Sequence, residues 1–202
     1  MIVVVDYGAG NIASVINMLR RIGAPAKASG CADEIAAAEK IILPGVGSFD
    51  AGMSNLRARG LIDVLNNQAL IQKKPILGIC LGSQMLGTRS EEGELPGLDW
   101  IDMEIVRFHS RPDLKVPHMG WNYVKAAKSH PILDGIDRDF RFYFVHSYFM
   151  RPITAGDVLL TADYGEQFVA AVAKENIVGL QFHPEKSHRF GMTLLKNFVE
   201  KC

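Results

Sequence analysis

A chain of 202 residues in which 22 basic side chains are balanced by 22 acidic ones has no cationic excess to hold a polyanion, which argues against sequence-independent nucleic-acid binding. With 48% apolar residues it can bury a substantial core, and no stretch approaches the length of a membrane span, so neither a disordered nor a membrane-embedded chain is expected. The three cysteines, Cys31, Cys80 and Cys202, are too few and too irregularly spaced for a disulfide framework or a zinc site.

The opening "MIVVVDYG" holds an apolar run of only four residues with no basic lead, and reads as a first strand rather than a signal peptide; the expected compartment is the cytoplasm. After the turn "YGAGN", Ile12, Val15, Ile16, Leu19 and Ile22 recur at helical spacing, and Gly23 ends the helix. Strands are expected at 25–28 and 40–45, with a helix-compatible stretch between them. "GVGSFDAG" opens a helical region to about residue 70, with Leu56, Leu61, Val64 and Leu65 as its apolar face. "KPILGIC" (74–80) is the next apolar strand, and "GSQMLGTR" is expected to start another helix.

Strands alternating with helices, and apolar on both faces, are the pattern of a buried parallel sheet. The Gly/Pro stretch "EEGELPGLD" (91–99) is expected to be a linker. Beyond it the pattern changes: Ile101, Met103 and Ile105 alternate as in an exposed antiparallel strand. Further strands are expected at 121–125, 141–149, 157–162, 167–173 and 177–182, then a helix carrying Met192, Leu195, Phe198 and Val199. The expected architecture is an α/β core with an antiparallel extension in the C-terminal half, as a single domain over 1–202.

"GICLG" has the shape of an elbow that holds a nucleophile on a strained strand-to-helix turn, with glycines where backbones approach closely. In open α/β sheets reactive groups gather beyond the carboxyl ends of the strands, and Cys80 falls at such an end. A helix N-terminus behind it favours the thiolate, and the Leu81 N–H is placed to stabilise an oxyanion. A small buried hydrophobe at a strand end fits the pentapeptide equally well, so Cys80 needs partners.

"GLQFHPEKS" offers them: an apolar strand delivers His183, and Pro184 biases that residue toward extended backbone. There, residues two apart point the same way about 6.5–7 Å apart, which puts Glu185 within reach of the imidazole. Nucleophile Cys80, base and acid His183, and orienting Glu185 follow the logic of a catalytic triad. A surface loop that merely turns the chain is the competing reading of His-Pro-Glu. His118 and His146 read as hydrogen-bonded structural residues in strands, and His109, His130 and His188 as solvated. No histidine pair has metal-ligand spacing, and no metal or cofactor is expected.

"ILPGVGSF" (42–49) is a further strand end running into a glycine-rich turn, where Gly45 and Gly47 around Val46 free N–H groups to face a developing oxyanion. It matches neither the dinucleotide fingerprint nor the P-loop. A plain tight turn would use the same residues.

"PGVGSF", "GICLGSQ" and "FHPEKS", in this order and at these separations, resemble the class I (triad-type) glutamine amidotransferases, and the likeness covers essentially the whole chain. Within that class "DYGAGN", "PHMGWN" and "YFVHSY" are similar to the glutaminase subunits of imidazole glycerol phosphate synthases. The resemblance implies a flavodoxin-like, doubly wound sheet and hydrolysis of glutamine through a Cys80 thioester. It implies the triad Cys80, His183 and Glu185, and an oxyanion hole from Val46, Gly45, Gly47 and Leu81. Gln84 and the Ser147–Tyr148 backbone would hold the substrate. It further implies a separate (β/α)8 synthase partner that receives ammonia and forms imidazole glycerol phosphate and an aminoimidazole carboxamide ribotide. Asn11, Met119, Trp121, Tyr143 and Lys186 would lie at that interface. For Trp121 and Tyr143 a core contact is the alternative.

Ser83 departs from the methionine common after "CLG" in that family. The tail "HPEKSHRFGMTLLKNF" and the insert "EEGELPGLDWI" resemble paralogues that feed ammonia to a sugar-amidating synthetase for surface polysaccharides. A non-catalytic docking scaffold and a thiol peptidase on the same scaffold complete the alternatives.

Overall fold

The computed structural model describes residues 1–109, 111, 114–136 and 140–202. Strand β1 (Ile2–Val5) is followed by α1 (Ile12–Arg21), β2 (Ala26–Ser29), α2 (Ala32–Ala36), β3 (Lys40–Leu43), α3 (Phe49–Ala58), α4 (Ile62–Asn66) and β4 (Ile76–Ile79). A one-turn helix α5 (Leu81–Gln84) leads to β5 (Arg89–Ser90), β6 (Met103–Arg107), β7 (His118–Tyr123), β8 (Lys125–Ala126), β9 (Arg141–His146) and β10 (Tyr148–Pro152). Then come β11 (Val158–Asp163), β12 (Gln167–Lys174), β13 (Ile177–Leu180) and the closing α6 (His188–Lys201).

Among the described residues, eleven strands share one sheet, whose main path runs β2-β1-β3-β4-β13-β12-β10-β6-β5, with β11 on β12 and β8 on β11. From β2 to β13 every pairing is parallel. From β13 through β12 and β10 to β6 every pairing is antiparallel, and a parallel β5 ends the path. The fold is thus doubly wound and mostly parallel at its centre, with antiparallel strands beyond. The chain switches direction across the sheet between β1 and β3, and crevices at such points open beyond the strand carboxyl ends.

The β-branched and aliphatic strands alternate between two cores. Ile2, Val4, Ile42, Leu77 and Ile79 face the layer holding α1 and α6, with Val15, Leu19, Leu194, Leu195 and Phe198. Val3, Val5, Ile41, Leu43 and Ile76 face the opposite layer, with Leu56, Leu61 and Leu65. Fully burying each such side chain contributes about 1.5–3 kcal/mol, and this is why continuous apolar runs settle here as central strands.

Several expectations are corrected. The helix after Cys80 stops at Gln84, because the 97–101 segment takes the carbonyls that would continue it: Leu98 N–H donates to Met85 O at 2.8 Å, and Trp100 N–H to Leu86 O at 2.9 Å. The expected linker 91–99 is therefore packed structure. Asp50 accepts from the Glu94 and Leu95 amides, both at 3.0 Å, and Glu92 Oε2 accepts from Phe49 N–H at 2.8 Å. The helical region to residue 70 is interrupted at Gly60, whose φ of +66° favours glycine, and finishes as a π-turn over Asn67–Ile71. Val64 is only half-buried. The strand expected over 141–149 divides at Ser147. Its first part pairs with β7 in a separate two-stranded sheet, and its second joins the main sheet beside β6 and β12.

Candidate active site

Parallel neighbours β4 and β13 end side by side, with Leu180 opposite Ile79. Cys80 follows β4 with φ 53° and ψ −112°, a strained conformation for a residue with a side chain, and its N–H donates to Leu180 O at 2.7 Å. The flanking glycines are there because the elbow leaves no room. A Cβ on Gly82 would sit 1.8 Å from Leu43 O, and one on Gly78 2.8 Å from the Ser83 Cα. Ser83, the departure from the family pattern, is fully buried and donates its hydroxyl to Cys80 O at 2.7 Å, reinforcing the same turn.

His183 lies beyond β13, where its N–H donates to Tyr143 O at 2.9 Å. The step to Glu185 is not extended as the sequence suggested. Pro184–Lys186 form one 3-10 turn, and this curl brings Glu185 Oε1 to 2.8 Å from His183 Nδ1. Ser187 secures the turn, donating to His183 O at 2.6 Å and accepting from Tyr143 N–H at 3.0 Å. His183 Nε2 is buried without a partner in hydrogen-bond geometry. Burial opposes protonation of this ring, but the neighbouring Cys80 thiol and Glu185 carboxylate outweigh it and raise its pKa to about 9. Asn11 Nδ2 approaches the same Glu185 oxygen at 3.4 Å.

Cys80 and His183 line one cavity of about 300 Å³, together with Val46, Gly47, Leu81, Gln84, Glu92, His146, Ser147 and Tyr148. Of the expected oxyanion residues, Val46 is 43% exposed and Gly47 has φ +104°, while Gly45 is buried behind the cavity wall. A Cβ on Gly45 would lie 2.6 Å from Gly82 N and 2.7 Å from the Tyr7 hydroxyl, so this glycine lets the loop press onto the elbow. Leu81 is the first residue of α5, where its N–H has no partner within the helix. Gln84 is held by its own amide, which donates to Tyr148 O and to Gln181 Oε1, both at 3.1 Å.

Four cavity residues carry no site role in the sequence analysis: the apolar Pro117 and Val145, and the ionisable Glu92 and His146. Glu92 was read as linker, yet its carboxylate lines the cavity while anchoring the start of α3. His146, read as structural, is both: its Nδ1 donates to Tyr148 O at 2.8 Å, and its Nε2 lies 2.9 Å from His118 Nδ1. Burial pushes the His118 pKa down to about 4, and burial also dominates the fall at His146 to about 3, so both rings are neutral near pH 7. His109 and His188 are exposed as expected, whereas His130 is half-buried and accepts from Ile132 N–H at 3.2 Å. Among the described residues no cluster of three His, Cys, Asp or Glu side chains forms a metal-binding group, and no helix is long and apolar enough to cross a membrane.

The expected partner residues gather at one end of the molecule. On β7 the alternation places His118 inward and Met119, Trp121 and Tyr123 outward, 62%, 42% and 55% exposed. Trp121 pairs with Tyr143 across the β7–β9 ladder, His188 stacks on its ring at 5.6 Å, and Lys186 Nζ lies 5.9 Å from the Tyr143 ring. Neither aromatic residue is an interior contact. Tyr123 shares this outward face by the same period of two.

A family model for class-I glutamine amidotransferases matches residues 3–202. Imidazole glycerol phosphate synthase subunit HisH 2 of Pseudomonas aeruginosa is 64% identical over 200 residues, covering 99% of both chains. Subunit HisH 2 of Methanococcus maripaludis is 48% identical over 202 residues, the whole of both chains. Subunit HisH of Bdellovibrio bacteriovorus is 48% identical over 203 residues, covering 99% of this chain and 100% of its own. A glutamine amidotransferase crystal structure superposes with a TM-score of 0.77 at 20% identity, covering 98% of this chain and 97% of that one. The PurLQS structure from Thermotoga maritima does so at 0.72 and 21%, covering 98% and 96%. Those two likenesses concern the fold, while the family match spans the elbow, the His-Pro-Glu turn and the glycine loop together: the chain belongs to the class-I glutamine amidotransferases.

Proposed function

We propose that this chain is the glutaminase subunit of an imidazole glycerol phosphate synthase. In this reading it hydrolyses L-glutamine to glutamate and ammonia, and a separate (β/α)8 synthase subunit consumes the ammonia in histidine biosynthesis. The observation that carries the glutaminase half is a cysteine on a strained elbow sharing a cavity of about 300 Å³ with a histidine whose far nitrogen meets a carboxylate at 2.8 Å. The names of the relatives support the synthase half, and none of them favours the sugar-amidating alternative.

Cys80 is the nucleophile. His183 accepts its proton, held in one tautomer by Glu185, and as a cation beside the sulfur it stabilises negative charge there. Sulfur attacks the side-chain amide carbon, and the carbonyl oxygen becomes an oxyanion facing the amides of Leu81 and the Val46–Gly47 loop. The carbon–nitrogen bond breaks as His183 returns the proton to the leaving nitrogen, giving ammonia and a thioester. Water then gives a proton to His183 and attacks the thioester. The carbon–sulfur bond breaks, the sulfur is reprotonated and glutamate leaves. Glu92 is suited to the α-ammonium group of the substrate, and Gln84 with the Ser147–Tyr148 backbone to its remaining polar groups. Asn11, Met119, Trp121, Tyr143 and Lys186 form the docking face, where exposed aromatic rings are natural anchors. Passage to the partner without release into water keeps ammonia unprotonated and nucleophilic. Partner binding is expected to raise the glutaminase rate by favouring the conformation in which the oxyanion donors face Cys80.

Cys80→Ala tests the reading. It is expected to abolish glutamate release, measured with the synthase subunit present, while leaving the circular dichroism spectrum unchanged. Full activity in that variant ends the proposal.

A further inference from the structure

Tyr7 is a polar residue with no accessible surface, two residues beyond the end of β1. Its hydroxyl donates to Pro44 O at 2.7 Å, and Pro44 is the residue immediately before the Gly45-Val46-Gly47 loop. The same oxygen sits where a Cβ on Gly45 would come within 2.7 Å, so hydroxyl, loop and elbow are in mutual contact. Three residues on, Gly10 packs against Pro44, where an added Cβ would be 3.1 Å from the proline ring. One residue further, Asn11 reaches Glu185 at 3.4 Å. The segment from residue 7 to 11 thus touches the glycine loop at one end and the His183–Glu185 pair at the other.

A buried phenol is retained against its desolvation cost only when its hydroxyl is used. Burial, and the nearby Cys80 charge, raise the Tyr7 pKa well above the ordinary phenol value, so across the physiological range it stays a neutral donor. As a donor it fixes the orientation of the Pro44 carbonyl. The peptide planes that follow carry the N–H groups of Gly45, Val46 and Gly47, and Gly47 turns the chain with φ +104°, a conformation that favours glycine.

We infer that Tyr7 is a positioning residue for the oxyanion loop, clamping the Pro44 carbonyl so that the following amides settle facing Cys80 when the partner subunit is bound. The inference rests on the proposed glutaminase reading and goes beyond it, since Tyr7 touches no substrate. Donors that meet charge only in the transition state affect kcat rather than substrate binding.

The test is Tyr7→Phe, which removes one oxygen and keeps the ring, assayed in the complex with the synthase subunit. The expected result is a fall in kcat for glutamine hydrolysis of about tenfold, less than the hundredfold or more seen when a donor is itself deleted. KM should stay within about twofold, because ground-state binding is untouched. Alkylation of Cys80 by iodoacetamide, which displaces iodide and develops no oxyanion, should proceed at the wild-type rate. An unchanged kcat, a rise in KM alone, or a parallel fall in alkylation overturns the inference: Tyr7 would then be core packing, a binding residue, or a modulator of the sulfur itself. Cys80→Ala in the same assay separates the levels. If it still releases glutamate, the glutaminase reading fails. If it is inactive while Tyr7→Phe keeps full kcat, only the clamp fails.

Discussion

The parallel and antiparallel halves of this molecule solve different problems. In the parallel half, β1, β3 and β4 are enclosed by helices on both faces and almost every side chain on them is buried, which leaves backbone geometry little freedom. That rigidity sustains a cysteine at φ 53°. The β7–β9 ribbon is one layer with two unlike faces, Phe142 and Phe144 inward and Trp121 and Tyr123 outward. It shapes a cavity wall through its junction with β10 at Ser147, and it presents an aromatic surface. Strain is held where packing is two-sided, and the exposed aromatic rings lie where one face stays free.

The largest effect expected from this contrast is at the elbow. Gly82→Ala would drive a methyl group into the Leu43 carbonyl, which is backbone and cannot swing aside, and destabilisation of about 3 kcal/mol or more is expected in denaturant melts. A loss below about 1 kcal/mol would show that β3 can yield and that the parallel half is softer than described.

Titration separates the halves next. His183 has a raised pKa in the folded chain, so its contribution to stability is complete below the unfolded value near 6.5 and is lost as pH rises through about 9. His118 and His146 have lowered values. They cost nothing above about 6.5, but stability falls as pH drops from there toward about 4 and about 3, where the folded state finally accepts their protons. Urea midpoints measured against pH should therefore decline on both sides, and His183→Gln should flatten the alkaline decline most, with a smaller easing of the acid decline because the His183 charge adds to burial in lowering the His146 pKa. An alkaline decline left unchanged in that variant would show that His183 is not the group that titrates there.

The smallest effect on stability belongs to the free face of the ribbon. Trp121→Ala should change unfolding stability by about 0.5 kcal/mol or less, since the ring is already 42% exposed. Titration calorimetry with the synthase subunit should nonetheless show binding weakened by about thirtyfold or more, the ordinary cost of losing an aromatic anchor. Unchanged binding would remove Trp121 from the docking face.

Much of this was legible in the order of residues. Short apolar runs announced β1, β3 and β4 because a strand buried on both faces needs no polar alternation. "GICLG" announced the elbow because only glycine tolerates a backbone carbonyl at the distance seen for Gly82. Helical spacing placed Leu195 and Phe198 on the buried face of α6, whereas an outward Trp121 was expected only from the resemblance to the family.

What the sequence could not supply were the decisions made by distant segments. The helix after Cys80 ends early because residues 97–101 take the carbonyls of residues 85–88 that would continue it, a competition invisible to local propensity. The 91–99 stretch has a linker's composition but is fixed by Asp50, more than forty residues earlier, and so Glu92 arrives at the cavity. Glu185 meets His183 through a 3-10 turn rather than an extended strand, because Ser187 closes hydrogen bonds to both His183 and β9. Tyr7 is an ordinary tyrosine until β1 and β3 lie side by side and its hydroxyl finds Pro44. Periodicity and turn chemistry are properties of neighbours along the chain, and they set which elements form. Which carbonyl a given donor satisfies is settled only when elements pack, because a buried polar group must take the partner that tertiary structure brings to it.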